Sequence, residues 1–233
     1  PSGSNQHHTH IKGASLNARN LQDDFKIVDL IINAKKFKQD FILLQESHRN
    51  GREDFKIDHH QFRRWRFLGS GFQKCRKAGV AILLSPACEV KNIDYVLEAR
   101  ILRVLINIRG QSVALTSAYC PDESHSDALK LIFWTALNKS ISNTKAPFKP
   151  LIGGDFNATI LPQSTQGLGP VHSKCCYEAA NSTSFNGQQL LNTVRESYLF
   201  LENTFYPTKR DCHKWTFRSN NATKYRRRLD YIV

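Results

Sequence analysis

The stretch Leu151-Ile152-Gly153-Gly154-Asp155-Phe156-Asn157 joins an apolar run to two glycines and then to two polar side chains. The apolar run predicts a buried strand over residues 150–154 that enters a glycine turn. Asp155 and Asn157 then lie where a strand meets a loop, the favoured place for active-site groups in layered α/β folds. An aspartate after two glycines is also typical of an ordinary turn or a helix N-cap, so the neighbouring segments must decide between the two interpretations.

Strands and helices alternate on both sides of this stretch. A helix with a wide apolar face is predicted over residues 25–37, and further helices are predicted over residues 127–141 and 185–197. A turn at Gly110 joins two predicted strands into a hairpin. A short strand is predicted just before residues 15–17. Further strands are predicted over residues 41–44, 79–84, 101–108, 112–119, 150–154, 215–217 and 229–233. This order predicts a mixed α/β (α+β) fold with sheets that are at least partly antiparallel.

Polar side chains stand at four more of these strands. Asn17 follows the first strand, and Glu46 comes shortly after the apolar run 41–44. Tyr119 ends the strand 112–119, and Asp230 lies within the last strand. Taken singly, each is better explained by structure or by solvent exposure. Taken together, carboxylates, amides and a phenol at separate strand ends suit a hard cation and a phosphate group.

Basic residues are concentrated in two segments. The chain of 233 residues carries a net charge of +13, and the whole excess comes from residues 49–77 and residues 209–228. Such clustering is expected of a protein that binds a polyanion such as nucleic acid. The alternative is a pair of solvated loops whose lysines and arginines only provide solubility. An acidic membrane surface is a poorer match, because no amphipathic anchor helix accompanies the charge.

The composition excludes several classes of protein. No apolar run approaches the roughly 20 residues of a membrane span, and the polar residues 1–10 lack the apolar core of a signal peptide. The six cysteines form no CxxC pair, which favours a reduced intracellular protein over a zinc or disulfide scaffold. The chain contains no methionine, so we expect a domain taken from a longer protein, with residues 1–10 as a flexible tail or tag remnant.

Six motifs in this order resemble those of the exonuclease–endonuclease–phosphatase superfamily, in particular the apurinic-like endonuclease domains of non-LTR (LINE-type) retrotransposons. They are Ser15-Leu16-Asn17-Ala18-Arg19-Asn20-Leu21, Leu43-Leu44-Gln45-Glu46-Ser47-His48, Ala78-Gly79-Val80-Ala81-Ile82-Leu83-Leu84-Ser85, Ala118-Tyr119-Cys120-Pro121, Gly153-Gly154-Asp155-Phe156-Asn157-Ala158 and Arg228-Leu229-Asp230-Tyr231-Ile232. The resemblance covers residues 11–233 as a single endonuclease domain. It implies a two-layer β-sandwich flanked by helices, in the order α/β/β/α, with an active site at one end of the sheets.

The resemblance also implies cleavage of a phosphodiester that depends on Mg²⁺, with Mn²⁺ as the alternative ion. Glu46 would bind the metal, with Asn17 beside it. Tyr119 and Asn157 would hold the scissile phosphate. Asp155 would position or deprotonate the attacking water, or assist the leaving oxygen. In-line attack on a phosphate diester needs this combination of charge neutralisation, an oriented water and hydrogen bonds to the phosphoryl oxygens.

The chain departs from the family pattern at its end. The family implies that Asp230 orients a histidine, and it places a Ser-Asp-His segment shortly after the strand that contains this aspartate. None of the nine histidines follows Asp230, and the sequence ends at Val233. We therefore expect that the last strand and the Ser-Asp-His segment lie beyond this stretch of chain.

A basic hairpin is predicted near the end of the chain. The loop 218–228 connects two predicted strands and is rich in turn-forming residues at its tip. The resemblance implies that this hairpin lies against the DNA groove near the scissile bond. Because arginines on a narrow arm can read the width of a minor groove, we hypothesise that the hairpin selects target sites by DNA shape. The alternative is a mobile hairpin that its charge keeps in solution. The candidate DNA-binding residues are Thr216, Arg218, Lys224, Arg226, Arg227 and Arg228.

The resemblance predicts a DNA endonuclease that nicks double-stranded target DNA and leaves a 3′-OH to prime reverse transcription. The expected partners are double-stranded DNA and a covalently linked reverse transcriptase, and the domain is expected to act as a monomer on nuclear DNA inside the cell. Three alternatives remain: a cellular abasic-site repair endonuclease, a phosphatase or lipid phosphodiesterase of the same superfamily, and an inactive nucleic-acid-binding domain of this fold. The net charge favours a long polyanion over a small substrate.

Overall fold

The structure is a computed structural model that describes residues 10–57, 64–74, 78–161, 168–169, 182–205, 217–218, 226–227 and 230–233, with backbone alone at 217–218, 226–227 and 230. Three α-helices and a short 3₁₀ helix lie in these residues: α1 (Asp24–Lys36), α2 (Asp127–Ser142), α3 (Phe185–Glu196) and the 3₁₀ turn Glu202–Thr204. The strands in the same residues are β1 (Gly13–Asn17), β2 (Phe41–Gln45), β3 (Arg52–Lys56), β4 (Arg66–Ser70), β5 (Val80–Leu84), β6 (Glu89–Leu97), β7 (Ile101–Ile108), β8 (Gln111–Tyr119), β9 (Lys149–Asp155), β10 (Phe217–Arg218), β11 (Arg226–Arg227) and β12 (Asp230–Ile232).

Two mixed five-stranded sheets form the centre of the fold. The first has the strand order β1-β2-β5-β4-β3, and the second has the order β12-β9-β8-β7-β6. Each sheet contains one parallel pair, β1 with β2 and β8 with β9, whereas the other pairs are antiparallel. Parallel neighbours end at the same edge of a sheet, so these two pairs bring four strand ends together.

Three apolar clusters fill the spaces between four layers. One cluster lies between the sheets, with Leu43 and Leu115 among its buried members. A second lies under α1 and includes Ile27 and Ile31. The third lies under α2 and α3 and includes Trp134. The predicted two-layer β-sandwich with flanking helices, α/β/β/α, is therefore confirmed.

The helices begin where the sequence supplies capping side chains. Asp23 accepts a hydrogen bond from the backbone N–H of Phe25 at the start of α1, and Ser126 accepts one from Leu129 at the start of α2. Ser184 plays the same part for α3. Such caps satisfy backbone donors that have no partner within the helix, and this fixes the first residue of each helix.

The glycine pair in β9 has a different role from the one predicted. The sequence predicted a strand that turns at Gly154, but β9 continues to Asp155. A Cβ atom on Gly154 would lie 2.2 Å from the carbonyl oxygen of Ala118, and one on Gly153 would lie 2.8 Å from Leu43 Cδ1. The glycines are therefore required for close packing within and between the sheets, and not for a turn.

Four strands in the described residues were not predicted: β3, β4, β6 and the hairpin strand β11. β3 is an edge strand with alternating exposed residues, and among the described strands it pairs with β4 alone. Its charged sequence Arg52-Glu53-Asp54-Phe55-Lys56 has low intrinsic strand preference, and such charged edges protect sheets from further pairing. β4 and β6 also lack clear alternation and depend on their neighbours in the sheet.

The basic hairpin forms, but its second strand is β11 and not the predicted strand at residues 229–233, where β12 instead pairs with β9 in the second sheet. β10 pairs with β11 in antiparallel register, with Arg218 opposite Arg226 and Phe217 opposite Arg227. The backbones of Arg218, Arg226 and Arg227 therefore lie in paired strands and not in the connecting loop, because cross-strand hydrogen bonding continues past Phe217. The other DNA-binding candidates, Thr216, Lys224 and Arg228, fall outside the described residues.

No helix in the described ranges is both long and apolar enough to cross a membrane.

Candidate functional site

Strand register brings the predicted site residues to one edge of both sheets. In the first sheet Asn17 at the end of β1 is opposite Gln45 at the end of β2, and Glu46 is the next residue. In the second sheet Tyr119 at the end of β8 is opposite Asp155 at the end of β9. Each parallel pair brings two strand ends to one edge of its own sheet, and a contact of 3.0 Å between Asn17 and Asp155 shows that the two edges lie at the same end of the sandwich.

Four of these side chains form one connected hydrogen-bonded group. The Asn17 Nδ2 amide donates to Glu46 Oε1 at 2.8 Å and to Asp155 Oδ2 at 3.0 Å. The Tyr119 hydroxyl donates to the same Glu46 Oε1 at 3.1 Å. Asn17 therefore joins carboxylates from two different sheets, and it lies 138 positions from Asp155 in the sequence. The structure thus brings together the residues that the sequence placed at separate strand ends.

The loop after β2 holds Glu46 in an unusual backbone conformation. Glu46 and His48 both have positive φ angles, of 51° and 54°. The backbone N–H groups of Ser47 and His48 donate to the carbonyl oxygens of Gly79 and Ala78, which fixes the loop against the start of β5. Left-handed backbone at a non-glycine residue costs roughly 1–3 kcal/mol and persists where the surroundings determine it, often at functional sites.

Asp155 is buried, and both of its carboxylate oxygens are hydrogen-bonded. Its Oδ1 accepts the backbone N–H of Asn157 at 3.0 Å, and its Oδ2 accepts the Asn17 amide. Burial, with a smaller contribution from the nearby charge of Glu46, raises the pKa of this carboxyl to about 6, although the two hydrogen bonds oppose the shift. An acid with a pKa near neutrality can both accept and release a proton under physiological conditions.

Tyr119 is half-buried and keeps its proton. Burial, followed by the charges of Glu46 and Asp155, raises the pKa of this phenol well above its ordinary value. The Arg100 guanidinium lies 4.9 Å from the centre of the Tyr119 ring and donates to the Tyr119 carbonyl oxygen at 3.5 Å. The sequence interpretation missed Arg100. Its signal was a basic residue at the turn between two strands, which is too common to stand out.

The side chain of Asn157 also lies at this edge. Its backbone has a positive φ of 47°, and its Nδ2 donates to the carbonyl oxygen of Cys120 at 2.8 Å. Between the two polar residues of the motif, Phe156 is fully buried and stacks on Trp134 at a centroid distance of 5.9 Å. The aromatic anchor in the core therefore fixes the backbone that presents Asp155 and Asn157.

The oxygen atoms at this edge fit a hard divalent cation. Among the described residues there is no group of three histidine, cysteine or acidic side chains that could hold a metal ion. Mg²⁺ does not require one, because it is usually held by one or two carboxylates with waters and substrate phosphates. Glu46 Oε2 is the oxygen that the Asn17 and Tyr119 hydrogen bonds leave free, with His48 Nε2 at 3.9 Å. The Glu46 carboxylate is compatible with Mg²⁺, and Asn17 would join the ion only if its amide turned, because its Oδ1 accepts the Arg19 backbone N–H at 3.1 Å.

The backbone of Asp230 lies at the same edge. Asp230 on β12 is directly opposite Asp155 on β9. Its side chain is outside the description, so its role towards a histidine stays a prediction.

Part of the predicted basic surface is neutralised within the protein. Arg49 forms ion pairs with Glu53 at 2.6 Å and Asp24 at 2.7 Å, and Arg66 pairs with Asp54 at 2.7 Å. Carboxylates of the same chain therefore neutralise the charges of these two arginines of the segment 49–77. The two residues attract a polyanion less strongly than unpaired arginines would.

Comparison with known proteins gives matches among solved structures alone. No family model and no curated protein matches the sequence. The endonuclease domain of TRAS1, a telomere-specific non-LTR retrotransposon, matches with a TM-score of 0.59 and 19% identity, over 94% of this chain and 83% of that domain. An AP endonuclease from Leishmania major matches with a TM-score of 0.58 and 13% identity, over 94% of this chain and 77% of the other.

A third match names the wider group. A member of the endonuclease/exonuclease/phosphatase family from Leptotrichia buccalis gives a TM-score of 0.53 and 16% identity, over 96% of this chain and 87% of that one. At these identities the similarity is one of fold. The chain has the exonuclease–endonuclease–phosphatase fold, as the motif resemblance predicted.

Proposed function

We propose that this chain is a divalent-metal-dependent DNA endonuclease, the nicking domain of a non-LTR retrotransposon. The observation that carries the proposal is the hydrogen-bonded group of Asn17, Glu46, Tyr119 and Asp155, which joins the ends of both sheets. The resemblance in fold to the TRAS1 domain, described as a retrotransposon endonuclease, supports this choice of biological setting. The net charge of +13 supports a long polyanionic substrate.

In this proposal Glu46, with Asn17 beside it, holds Mg²⁺, or Mn²⁺ as the alternative ion. When bound, the cation neutralises charge on the phosphodiester and makes its phosphorus more open to attack. Tyr119 donates a hydrogen bond to Glu46 in the structure, and on DNA binding we expect its hydroxyl to turn to a phosphoryl oxygen. Asn157 has a second N–H on its amide, which is available to another oxygen of the same phosphate.

Asp155 is the proposed general base. Its buried carboxylate, with a pKa raised to about 6, accepts a proton from the attacking water as the new P–O bond forms. The bond from phosphorus to the 3′ oxygen breaks, the leaving oxygen takes up a proton from solvent, and the products are a 3′-OH and a 5′-phosphate. The 3′-OH is the group that a reverse transcriptase extends, which makes a covalently linked reverse transcriptase the proposed partner. The proposed setting is the DNA of the nucleus, with the domain acting as a monomer.

A second candidate is repair of abasic sites. The fold similarity to the AP endonuclease from Leishmania major favours this alternative over other reactions. Both candidates share the same chemistry at phosphorus, and they differ in whether a missing base is required.

A plasmid assay distinguishes these functions. The full-length natural protein is incubated with supercoiled plasmid in Mg²⁺, in Mn²⁺ and in EDTA, and relaxed circles are measured. We expect metal-dependent nicking by the unchanged protein and its loss in Glu46→Gln. The control is Glu89→Gln, which removes a carboxylate paired with Lys91 on the edge strand β6, and we expect this variant to keep full activity. Equal cleavage of intact and abasic duplexes supports the retrotransposon function, whereas a strict need for an abasic site supports repair. Binding to DNA without nicking in either metal would refute the endonuclease proposal.

A further inference from the structure

Behind the site lies a buried asparagine that the proposed chemistry does not use. Asn186, the second residue of α3, has no exposed surface. Its Oδ1 accepts hydrogen bonds from the Trp134 indole N–H at 3.0 Å and from the Cys120 thiol at 3.3 Å. Burial of an amide costs free energy unless both its N–H groups and its oxygen form hydrogen bonds. A fully hydrogen-bonded Asn186 side chain therefore favours a single geometry.

The donor side of Asn186 faces the two loops that carry site residues. Its Nδ2 donates to the carbonyl oxygen of Pro121 at 2.9 Å and to that of Asn157 at 3.5 Å. Pro121 follows the end of β8, two residues after Tyr119, and Asn157 follows the end of β9. One amide group therefore contacts the loops that leave both strands of the parallel pair.

The same two loops are joined directly to each other. Asn157 Nδ2 donates to the Cys120 carbonyl oxygen at 2.8 Å, and the Cys120 backbone N–H donates to the Asp155 carbonyl oxygen at 2.9 Å. Asn186 supports this connection from the core side. Burial raises the pKa of the Cys120 thiol, which keeps it protonated as a donor to Asn186.

The next residue lets α3 come close enough for these contacts. A Cβ atom on Gly187 would lie 2.2 Å from the Thr159 carbonyl oxygen, so a larger residue would push the helix away from the loop after β9. The N-cap Ser184 also accepts the backbone N–H of Thr159 at 3.1 Å. The start of α3 is thus fixed against the loop that carries Asn157.

We propose that Asn186 is a positioning residue, which holds the loops after β8 and β9 so that Tyr119 and Asn157 face the same phosphate. This inference rests on the proposed endonuclease function. A displacement of about 1 Å in groups that orient a reacting centre can cost on the order of a hundredfold in rate. DNA binding depends mainly on phosphate contacts spread over a wider surface, so we expect kcat to change much more than KM.

The test compares Asn186→Leu with Thr193→Val in the full-length natural protein. Leucine has the same number and branching of side-chain heavy atoms and removes all four hydrogen bonds. Thr193 lies on the same helix, is equally buried and donates to Asn138 on α2 at 2.7 Å, with no link to the site loops. If N186L does not fold, Asn186→Asp takes its place, because it keeps the acceptor for Trp134 and loses the amide donors.

Two readouts are taken from folded protein, well below the unfolding temperature of each variant. In the nicking assay we expect kcat to fall at least tenfold in N186L, with KM for DNA within threefold, and both constants to stay within threefold in T193V. In native hydrogen exchange we expect the backbone N–H groups of Cys120 and Asn157 to exchange at least tenfold faster in N186L, with no comparable change in T193V.

The outcomes separate this inference from the proposed function. Unchanged exchange at Cys120 and Asn157 in N186L overturns the positioning role, whatever the activity. An equal loss of kcat in T193V also overturns it, because the effect would then follow from general loss of stability. If the unchanged protein shows no metal-dependent nicking, the endonuclease proposal fails, and the exchange comparison still decides whether Asn186 fixes the two loops.

Discussion

A buried ion pair at the edge opposite the site gives a quantitative prediction of stability. Arg109, in the turn between β7 and β8, donates to both oxygens of Asp40, at 2.7 and 2.9 Å. The Asp40 side chain is 4% exposed, and it also accepts the backbone N–H of Lys12 at 2.9 Å. This carboxylate therefore links the segments before β1 and β2 to the second sheet.

Arg109→Leu removes the charged partner that Asp40 has among the described residues and leaves a buried carboxylate with one backbone donor. Breaking a buried pair in this way costs about 3–5 kcal/mol. We expect a loss near the lower end, about 3 kcal/mol, because the Arg109 side chain is itself 37% exposed and the Lys12 hydrogen bond remains. The loss would be a large part of the stability of about 5–15 kcal/mol typical of such domains.

A matched pair in the same protein serves as the control. Arg66 also binds both carboxylate oxygens of its partner Asp54, through Nε and Nη2 at 2.7 Å each, but the Asp54 side chain is 42% exposed. We expect Arg66→Leu to cost less than about 1 kcal/mol, because water solvates the carboxylate that remains. Asp40→Asn combined with Arg109→Leu should recover part of the loss, because it removes the unpaired charge.

Equilibrium urea unfolding at neutral pH measures the unchanged protein and the three variants, with m values compared to confirm that the same surface is exposed on unfolding. Equal losses in R109L and R66L would refute the reasoning, because burial of the carboxylate would then have no influence on the free energy of unfolding.

Further predictions concern the site and the hairpin. Asp155→Asn should reduce single-turnover nicking at least a hundredfold, and near-normal cleavage would exclude Asp155 as the base. In urea unfolding it should change the free energy of unfolding by less than about 2 kcal/mol, because amide and carboxylate have the same shape. Ser47→Ala should leave the free energy of unfolding in urea unchanged or raise it by up to about 1 kcal/mol, because the buried Ser47 hydroxyl has no hydrogen-bond partner among the described residues. A clear loss of stability would mean that this hydroxyl forms a hydrogen bond in solution. Replacing Arg226, Arg227 and Arg228 with glutamine should weaken binding to every DNA sequence and lower the log–log salt slope by about one for each phosphate that is no longer neutralised; an unchanged slope would mean that these arginines do not face DNA. Replacing residues 218–228 with a short Gly-Ser turn should keep metal-dependent nicking but erase preference among duplex sites, and an unchanged cleavage map on a long duplex would move target choice to residues 49–77.

The sequence predicted the elements whose local pattern is strong. The periodic apolar face of residues 25–37 corresponds to α1, and the apolar run at residues 41–44 corresponds to β2. The turn at Gly110 joins β7 and β8 as expected. Edge strand β3 escaped prediction because its residues are charged and its conformation depends on pairing with β4.

The site was predicted as a set of strand-end residues, and its contacts came from tertiary structure. The set Asn17, Glu46, Tyr119 and Asp155 is recognisable in the sequence because each residue stands at the end of a predicted strand, within the ordered motifs that resemble a known family. Nothing local indicates that the Asn17 amide joins Glu46 to Asp155. Arg100 and Asn186 were missed for the same reason, since each is an ordinary residue whose importance depends on what lies beside it.

The sequence by itself therefore determined the class of fold, the identity of the strand ends and the residue types available for chemistry, because hydrophobic period and turn residues act over a few positions. Tertiary structure alone decided that Gly153 and Gly154 serve sheet packing and that Asp155 is buried enough for a raised pKa. It also decided that Asn186 contacts both loops behind the site. These properties depend on distances between segments far apart in the chain, and those distances are set only when the two sheets pack face to face.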